Sequence, residues 1–319
     1  TSKHHEGFCL WPSQESWNCN SMDVGPHQDL AGALSKAVKD AGLRFGFYYS
    51  MYEWFNPLYN SDVDRYVEEH MLPQMKDLVE RYQPDLVWPD GEWGHPSSTW
   101  RSTEFLAWLF NESSAPEDVA INDRWGKETR NVHGGFATPE YGHLPDGHLT
   151  NAGRWEECQG MGKSFGYNRN EDVDNYRSST KLLHLLIDSV SRGGNLLLDI
   201  GPTADGRIPV IMQQRLIDMG EWLAVNGEAI YGTEKWDDAP EMEQVRFTQK
   251  ADAIYAICLE WPGAELVLEL DEAIEAVMLL GRGGALETAR DGGKLRITPP
   301  TLTIDQMPCR HAYVFKLKR

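Results

Sequence analysis

Between residues 28 and 122 the chain repeats one pattern three times: a short apolar run that stops on polar side chains, reached from a stretch with helical periodicity. Residues 44–49 finish in Tyr48-Tyr49-Ser50, residues 85–88 continue through Pro89 to Asp90-Gly91, and residues 119–121 finish in Asn122-Asp123-Arg124. The helical stretches are 28–41, 62–82 and 103–110. The first carries Leu30, Ala33, Leu34, Ala37 and Val38 on one face and is stopped by Gly42; the second should kink near Pro73. Apolar strands alternating with helices build parallel sheets from βαβ units, and such sheets keep their chemistry at the carboxyl ends of the strands.

The alternation resumes after a Gly- and Pro-bearing loop, 126–153. A strand near Trp155, a helix at 181–191, the plainest buried strand of the chain at 195–200 and a long helix at 208–225 follow. The expected architecture for residues 1–232 is a (β/α)8-like barrel, apparently incomplete at its amino end. Strands can be placed near Arg44, Asp85, Val119, Trp155 and Asn195, with Lys3-His4-His5 as the rim of another, whereas closure takes eight. From about residue 233 the texture changes to short β-type runs at 245–248, 253–259, 266–270, 276–280, 294–297 and 313–317. Six such runs separated by Gly, Pro and Asp predict a small antiparallel β-sandwich over 233–319.

Composition removes several functions. A net charge of −19 over 319 residues argues against nucleic acid, which needs clustered Lys and Arg. No apolar run reaches the roughly 18 residues that cross a bilayer, so membrane insertion is not expected. The five cysteines (Cys9, Cys19, Cys158, Cys258, Cys309) lack C-x-x-C spacing and read as thiols of a reducing, cytoplasm-like compartment, although Asn111-Glu112-Ser113 fits a glycosylation sequon.

Among chemical groups, Asp90 stands out because a strand end holds a nucleophile rigidly. Paired-carboxylate glycoside chemistry needs a second carboxyl as acid, and Glu92, Glu140, Glu156 and Glu157 are the candidates. His4-His5-Glu6 could suggest a metal, but adjacent histidines on an extended segment point to opposite faces; hydrogen bonding to sugar hydroxyls is the preferred role. Trp88, Trp93, Trp125 and Trp155 lie near the rim, where aromatic faces can stack on sugar rings. The glycines flanking residues 195–200 form no phosphate loop, so neither metal nor cofactor is expected.

Seven ordered motifs carry a resemblance: Lys3-His4-His5-Glu6-Gly7-Phe8, Asp23-Val24-Gly25-Pro26, Phe47-Tyr48-Tyr49-Ser50, Trp88-Pro89-Asp90-Gly91, Asn122-Asp123-Arg124-Trp125-Gly126, Ser164-Phe165-Gly166-Tyr167 and Gly194-Asn195-Leu196-Leu197-Leu198. Residues 1–232 resemble the α-L-fucosidases of glycoside hydrolase family twenty-nine, and the tail is similar in kind to that family's C-terminal domain. The resemblance implies a retaining exo-glycosidase acting on fucosylated glycans through a covalent fucosyl-enzyme intermediate, with transfer to sugar acceptors as a side activity. It puts the nucleophile at Asp90 and a fucose pocket at His4, His5, Tyr48, Trp88, Arg124 and Phe165. Thr138-Pro139-Glu140-Tyr141 is similar to one acid/base segment of the family and Trp155-Glu156 to another, which makes Glu140 the first choice and Glu156 the second. Family members carry a further segment ahead of the position of Thr1, with the first barrel strands and an active-site histidine and glutamate. Either the sequence starts late, or partner chains complete the barrel, or the protein is an inactive remnant; a homo-oligomer is the expectation if the chain is whole. The rival readings are a catalytically silent fucose-binding remnant and a barrel hydrolase for another deoxy or amino sugar.

Overall fold

A computed structural model of the chain describes residues 1–141 and 153–319, which gather into two compact units. One holds 1–138 with 153–154; the other holds 139–141 with 155–319.

In the first unit, helix α1 (Leu30–Asp40) is capped by Asp29, whose side chain accepts from the Gly32 N–H, and is ended by Gly42 at φ +73°. Its expected apolar face is rolled. Ala31 and Val38 pack on the core beside buried Ser35, while Leu34 is 59% exposed. Alanines at 31, 33 and 37 leave several stripes of similar apolarity, so spacing alone does not choose between them. The expected kinked helix 62–82 is a helical turn (Val63–Tyr66), a π segment (Val67–Met71) and α2 (Leu72–Tyr82). Pro73 has no N–H and crowds the carbonyl four residues back, and the wider π ladder just ahead of it takes up that conflict.

Strands β1 (Gly46–Ser50), β2 (Leu86–Asp90) and β3 (Ala120–Ile121) form a parallel sheet, with α3 (Ser102–Asn111) between the last two. The register pairs Tyr48 with Trp88 and Ser50 with Asp90, so these four side chains share one face. Phe47, Tyr49 and Val87 take the other face and join the apolar core with Met75, Leu78, Val79 and Phe105. Pro89 is tolerated in the middle strand because β3 has already ended at Ile121; the Asn122 amide donates to the Pro89 carbonyl at 2.9 Å instead. Lys3 forms one parallel bridge to Tyr49, so the His4-His5 segment runs beside β1, where the sequence placed a rim.

In the second unit, β4 (Trp155–Gly160) and β5 (Gly194–Asp199) pair in parallel, joined through α4 (Ser179–Ser191); α5 (Val210–Asn226) follows. The run expected to be the plainest buried strand is not buried among the described residues: Leu197 is 41% exposed, and β5 pairs with β4. Next come β6 (Glu234–Lys235), β7 (Val245–Lys250), β8 (Ala253–Cys258), β9 (Leu266–Glu269), β10 (Ala276–Leu279), β11 (Thr288–Asp291), β12 (Lys294–Ile297) and β13 (Tyr313–Lys318). They make antiparallel sheets in the orders β10-β13-β8-β7-β6 and β11-β12-β9. Alternation along β8 decides the layers: Ile254, Ala256 and Cys258 meet Leu266, Leu268, Leu295 and Ile297 across the sandwich, while Ala253, Tyr255 and Ile257 meet Leu182, Leu183, Ile187, Met219 and Trp222 of the two helices. The sandwich is as expected, with β6 and β11 added. The former is two residues long and the latter wholly exposed, so neither leaves an apolar period in the sequence.

Candidate active site

Asp90 ends β2 with its carboxylate buried and held from two sides. Arg124 NH1 donates to Oδ1 at 2.6 Å and the Tyr48 hydroxyl donates to Oδ2 at 2.7 Å. Burial by itself raises the pKa of Asp90, but the Arg124 charge and hydrogen bonds from Tyr48, Arg124 and the Gly91 N–H outweigh it and hold the carboxyl below its ordinary value. Arg124 is itself fixed: Nε donates to the Thr138 hydroxyl at 2.7 Å, NH2 to the Thr138 carbonyl at 3.0 Å, and its guanidinium lies 4.2 Å from the Trp88 ring centroid. The Thr138 hydroxyl in turn donates a hydrogen bond to Asp123 Oδ1 at 2.7 Å.

Tyr48 lies between two rings, stacked on Trp88 (5.6 Å) and on His4 (5.1 Å). His5 Nε2 is 3.9 Å from Asp90 Oδ2, and His5 Nδ1 is 2.6 Å from the Ser50 hydroxyl oxygen. Ser50 already donates its single proton to the Tyr52 carbonyl, so Nδ1 of His5 is the donor and Nε2 is turned to Asp90. The expectation that His4 and His5 point to opposite faces is corrected: their ring centroids are 4.1 Å apart. The segment is a turn, closed by Gly7 N–H donating to the His4 carbonyl, and the alternation of an extended strand does not apply.

Glu92, one of the carboxyls considered as an acid, is buried and accepts from Arg130 Nε at 2.7 Å through Oε1, while Oε2 has no hydrogen-bond donor. Burial raises its pKa, the Arg130 charge opposes, and Asp90 adds to the rise. Below the histidine turn lies a polar core that sequence reasoning missed. Buried Lys3 donates to Glu53 at 2.8 Å and to the Tyr49 hydroxyl at 3.0 Å; His70 Nε2 is 3.1 Å from the same Glu53 oxygen, and Tyr66 donates to it at 3.2 Å. Only the small lysine-histidine cluster at 3–5 hinted at it. Its partners are 46 to 50 residues away for Lys3.

The remaining predicted residues lie in the second unit. Glu140 is exposed and bridges to Cys158 of β4; Glu156 is half-buried on the same strand, opposite Asn195. Phe165 meets the Tyr141 ring edge-on at 4.9 Å, and the Tyr141 hydroxyl accepts from the Gly160 N–H at 3.0 Å. The structure therefore brings Asp90, Arg124, Tyr48, Trp88, His4 and His5 together, and separately brings the segment of Glu140 to β4 and Phe165.

A clamped carboxylate at a parallel strand end, faced by histidines, a tyrosine and aromatic rings, fits one half of the carboxyl pair of a glycoside hydrolase on an α/β frame. Comparison with known proteins names the family. The alpha-L-fucosidase family model matches residues 1–228, and the model of the alpha-L-fucosidase C-terminal domain matches residues 239–318. An alpha-L-fucosidase of Branchiostoma floridae is 41% identical over all of this chain and 74% of its own length; the tissue alpha-L-fucosidase of Homo sapiens is 41% identical over 99% of this chain and 70% of its own. The crystal structure of Thermotoga maritima alpha-fucosidase with a mechanism-based inhibitor matches with a TM-score of 0.82 at 36% identity, covering all of this chain and 74% of that one. This chain belongs to the alpha-L-fucosidase family, and its fold class is that family's (β/α) barrel catalytic region followed by a β-sandwich.

Proposed function

We propose that this chain hydrolyses terminal α-L-fucosides of glycans with retention of configuration, Asp90 being the nucleophile and Glu140 the acid/base. The observation that carries the reading is the Asp90 carboxylate, buried at the end of β2 and pinned by Arg124 and Tyr48. The pinning keeps the carboxylate ionised for attack on the anomeric carbon. It also makes Asp90 a better leaving group when water releases the sugar. In the first step the Asp90–carbon bond forms as the glycosidic bond breaks, and the acid/base gives its proton to the departing oxygen; in the second it takes a proton from the attacking water. Retention asks for two carboxyls about 5–5.5 Å apart. Glu140 is favoured over Glu156 because its neighbour Tyr141 packs on Phe165, one of the residues assigned to the fucose pocket. His4, His5 and Tyr48 suit the ring hydroxyls; Trp88 and Phe165 suit the 6-methyl group. A sugar acceptor in place of water gives transfucosylation.

An aryl α-L-fucoside tests the activity, and Asp90→Gly tests the nucleophile. Phenol release falling by roughly 10³-fold or more in the variant, with azide restoring turnover as a fucosyl azide, is the expected result. Undiminished release would remove Asp90 from the role. No release by the unaltered chain, with fucose still bound in calorimetry, would favour a silent binding protein.

A further inference from the structure

The loops that follow β1 and β2 carry aromatic rings that the chemistry above does not use. Tyr52, Trp54 and Phe55 belong to the first loop and Trp93 to the second. Tyr52, Trp54 and Trp93 all meet the His5 ring, with centroids 5.5, 5.6 and 5.5 Å away, and Phe55 stands edge-on to Trp54 at 6.5 Å. The Trp54 N–H donates to the His5 carbonyl at 2.7 Å, which ties this loop to the histidine turn. A packed floor supports the rings: Tyr52 meets Tyr59 at 5.0 Å, and Tyr59 stacks on fully buried Trp100 at 6.3 Å. Above that floor Trp54, Phe55 and Trp93 are 50, 76 and 51% exposed.

Large rings are usually covered, and a group of exposed ones beside a site marks a binding surface. This group is continuous with the site through His5, whose Nε2 is 3.9 Å from Asp90 Oδ2. Fucose held with its anomeric carbon at Asp90 has its glycosidic oxygen on the ring face away from that carboxylate, so the sugar attached to it extends out of the site, and these rings are exposed aromatic surface next to it. We propose that Trp54, Phe55 and Trp93 form the subsite for the leaving-group sugar and select a pyranose with a continuous C–H face, galactose being the simplest. This rests on the reading of Asp90 as the fucose-bonding residue. The half-exposed indoles offer apolar ring surface on which a sugar can stack. No charged side chain is among the three, which suits a neutral acceptor.

The test compares two substrates on the full chain: α-L-fucosyl fluoride, whose leaving group cannot stack, and an α-L-fucosyl-galactose disaccharide. One ring stacked on a sugar is worth about two- to tenfold in affinity. In Trp54→Ala and Phe55→Ala the kcat/KM for the disaccharide should fall about tenfold, through KM, while that for the fluoride stays within about twofold. Trp54→Phe should keep most of the disaccharide activity. Equal losses on both substrates would show that the rings only support His5, and no loss on either would show that the leaving group lies elsewhere; each overturns the proposal, as would a change of oligomeric state without a selective loss. Calorimetry on the Asp90→Gly chain separates this from the activity itself. There the disaccharide should bind more tightly than fucose and lose that margin with Trp54→Ala, whether or not the unaltered chain turns over either substrate.

Discussion

Tyr48 is where the electrostatics of the site can be altered with little change of shape. Its hydroxyl gives one of the bonds that hold Asp90 ionised, and the ring keeps its place through stacking on His4 and Trp88. Tyr48→Phe should raise the Asp90 pKa, because a bond to the charged form is lost. The acidic limb of the kcat/KM profile then moves to higher pH, with a fall of about 10- to 150-fold at the optimum, the worth of a hydrogen bond to a charged group. A limb that stays where it was would detach Tyr48 from the titration of Asp90. Glu53 poses the opposite case, a carboxylate that serves the fold. Burial raises its pKa, but the His70 and Lys3 bonds and charges outweigh this and bring it from 4.5 down to about 2. The resulting stability is present above the ordinary pKa and is lost as pH falls from about 4.5 toward 2. Glu53→Gln should flatten that part of the acid unfolding curve. It should also lower stability at neutral pH by about 3–5 kcal/mol, since Lys3 stays buried after its carboxylate is gone; denaturant titration at pH 7 and pH 4 reads both effects.

The end of β2 depends on the turn after it. Gly91 has φ +77°, and a Cβ there would lie 2.6 Å from Tyr52 Cβ and 2.9 Å from Tyr52 N. Gly91→Ala should therefore cost about 1–3 kcal/mol of stability and displace the strand end, with kcat falling roughly a hundredfold. Thermal melts and kcat check this, and an active, undisturbed variant would show the turn to be slack. The same strand shows what was legible beforehand. An apolar run stopping on Asp90 carries its own address, since strand period and turn residue are both local, and the sandwich strands β7 to β10, β12 and β13 were readable for the same reason. What depends on a neighbour was not. The burial of β5, the roll of α1 and the joining of Lys3 to Glu53 and His70 are set by pairings across tens of residues, and the His4-His5 arrangement by a turn that no periodicity reports. Arg130, which holds Glu92, sits in the long loop without any pattern to mark it. The family motifs singled out Arg124, which spacing alone did not, and the structure sets it on Asp90.

At the scale of the whole molecule the dominant quantity is the net charge of −19. The cations beside the Asp90 carboxylate do little to offset it at a distance, because Arg124 is engaged with Asp90 and Arg130 with Glu92 at contact range. An approaching substrate thus meets a negative field whose reach is the Debye length, about 30 Å at 0.01 M salt and about 8 Å at 0.15 M. A neutral fucoside feels no force from it, whereas a sulfated or sialylated fucoside is repelled before contact. Raising salt between those limits should increase kcat/KM for the anionic substrate by roughly threefold or more, in line with the size of electrostatic effects on association, and leave the neutral one unchanged. The neutral substrate serves as the internal control for any effect of salt on the fold. Parallel salt responses of the two would mean that salt acts on the fold and not on the approach of the charged substrate, whereas a fall for the anionic substrate alone would mean that the local positive groups, and not the charge of the whole chain, govern the approach to Asp90.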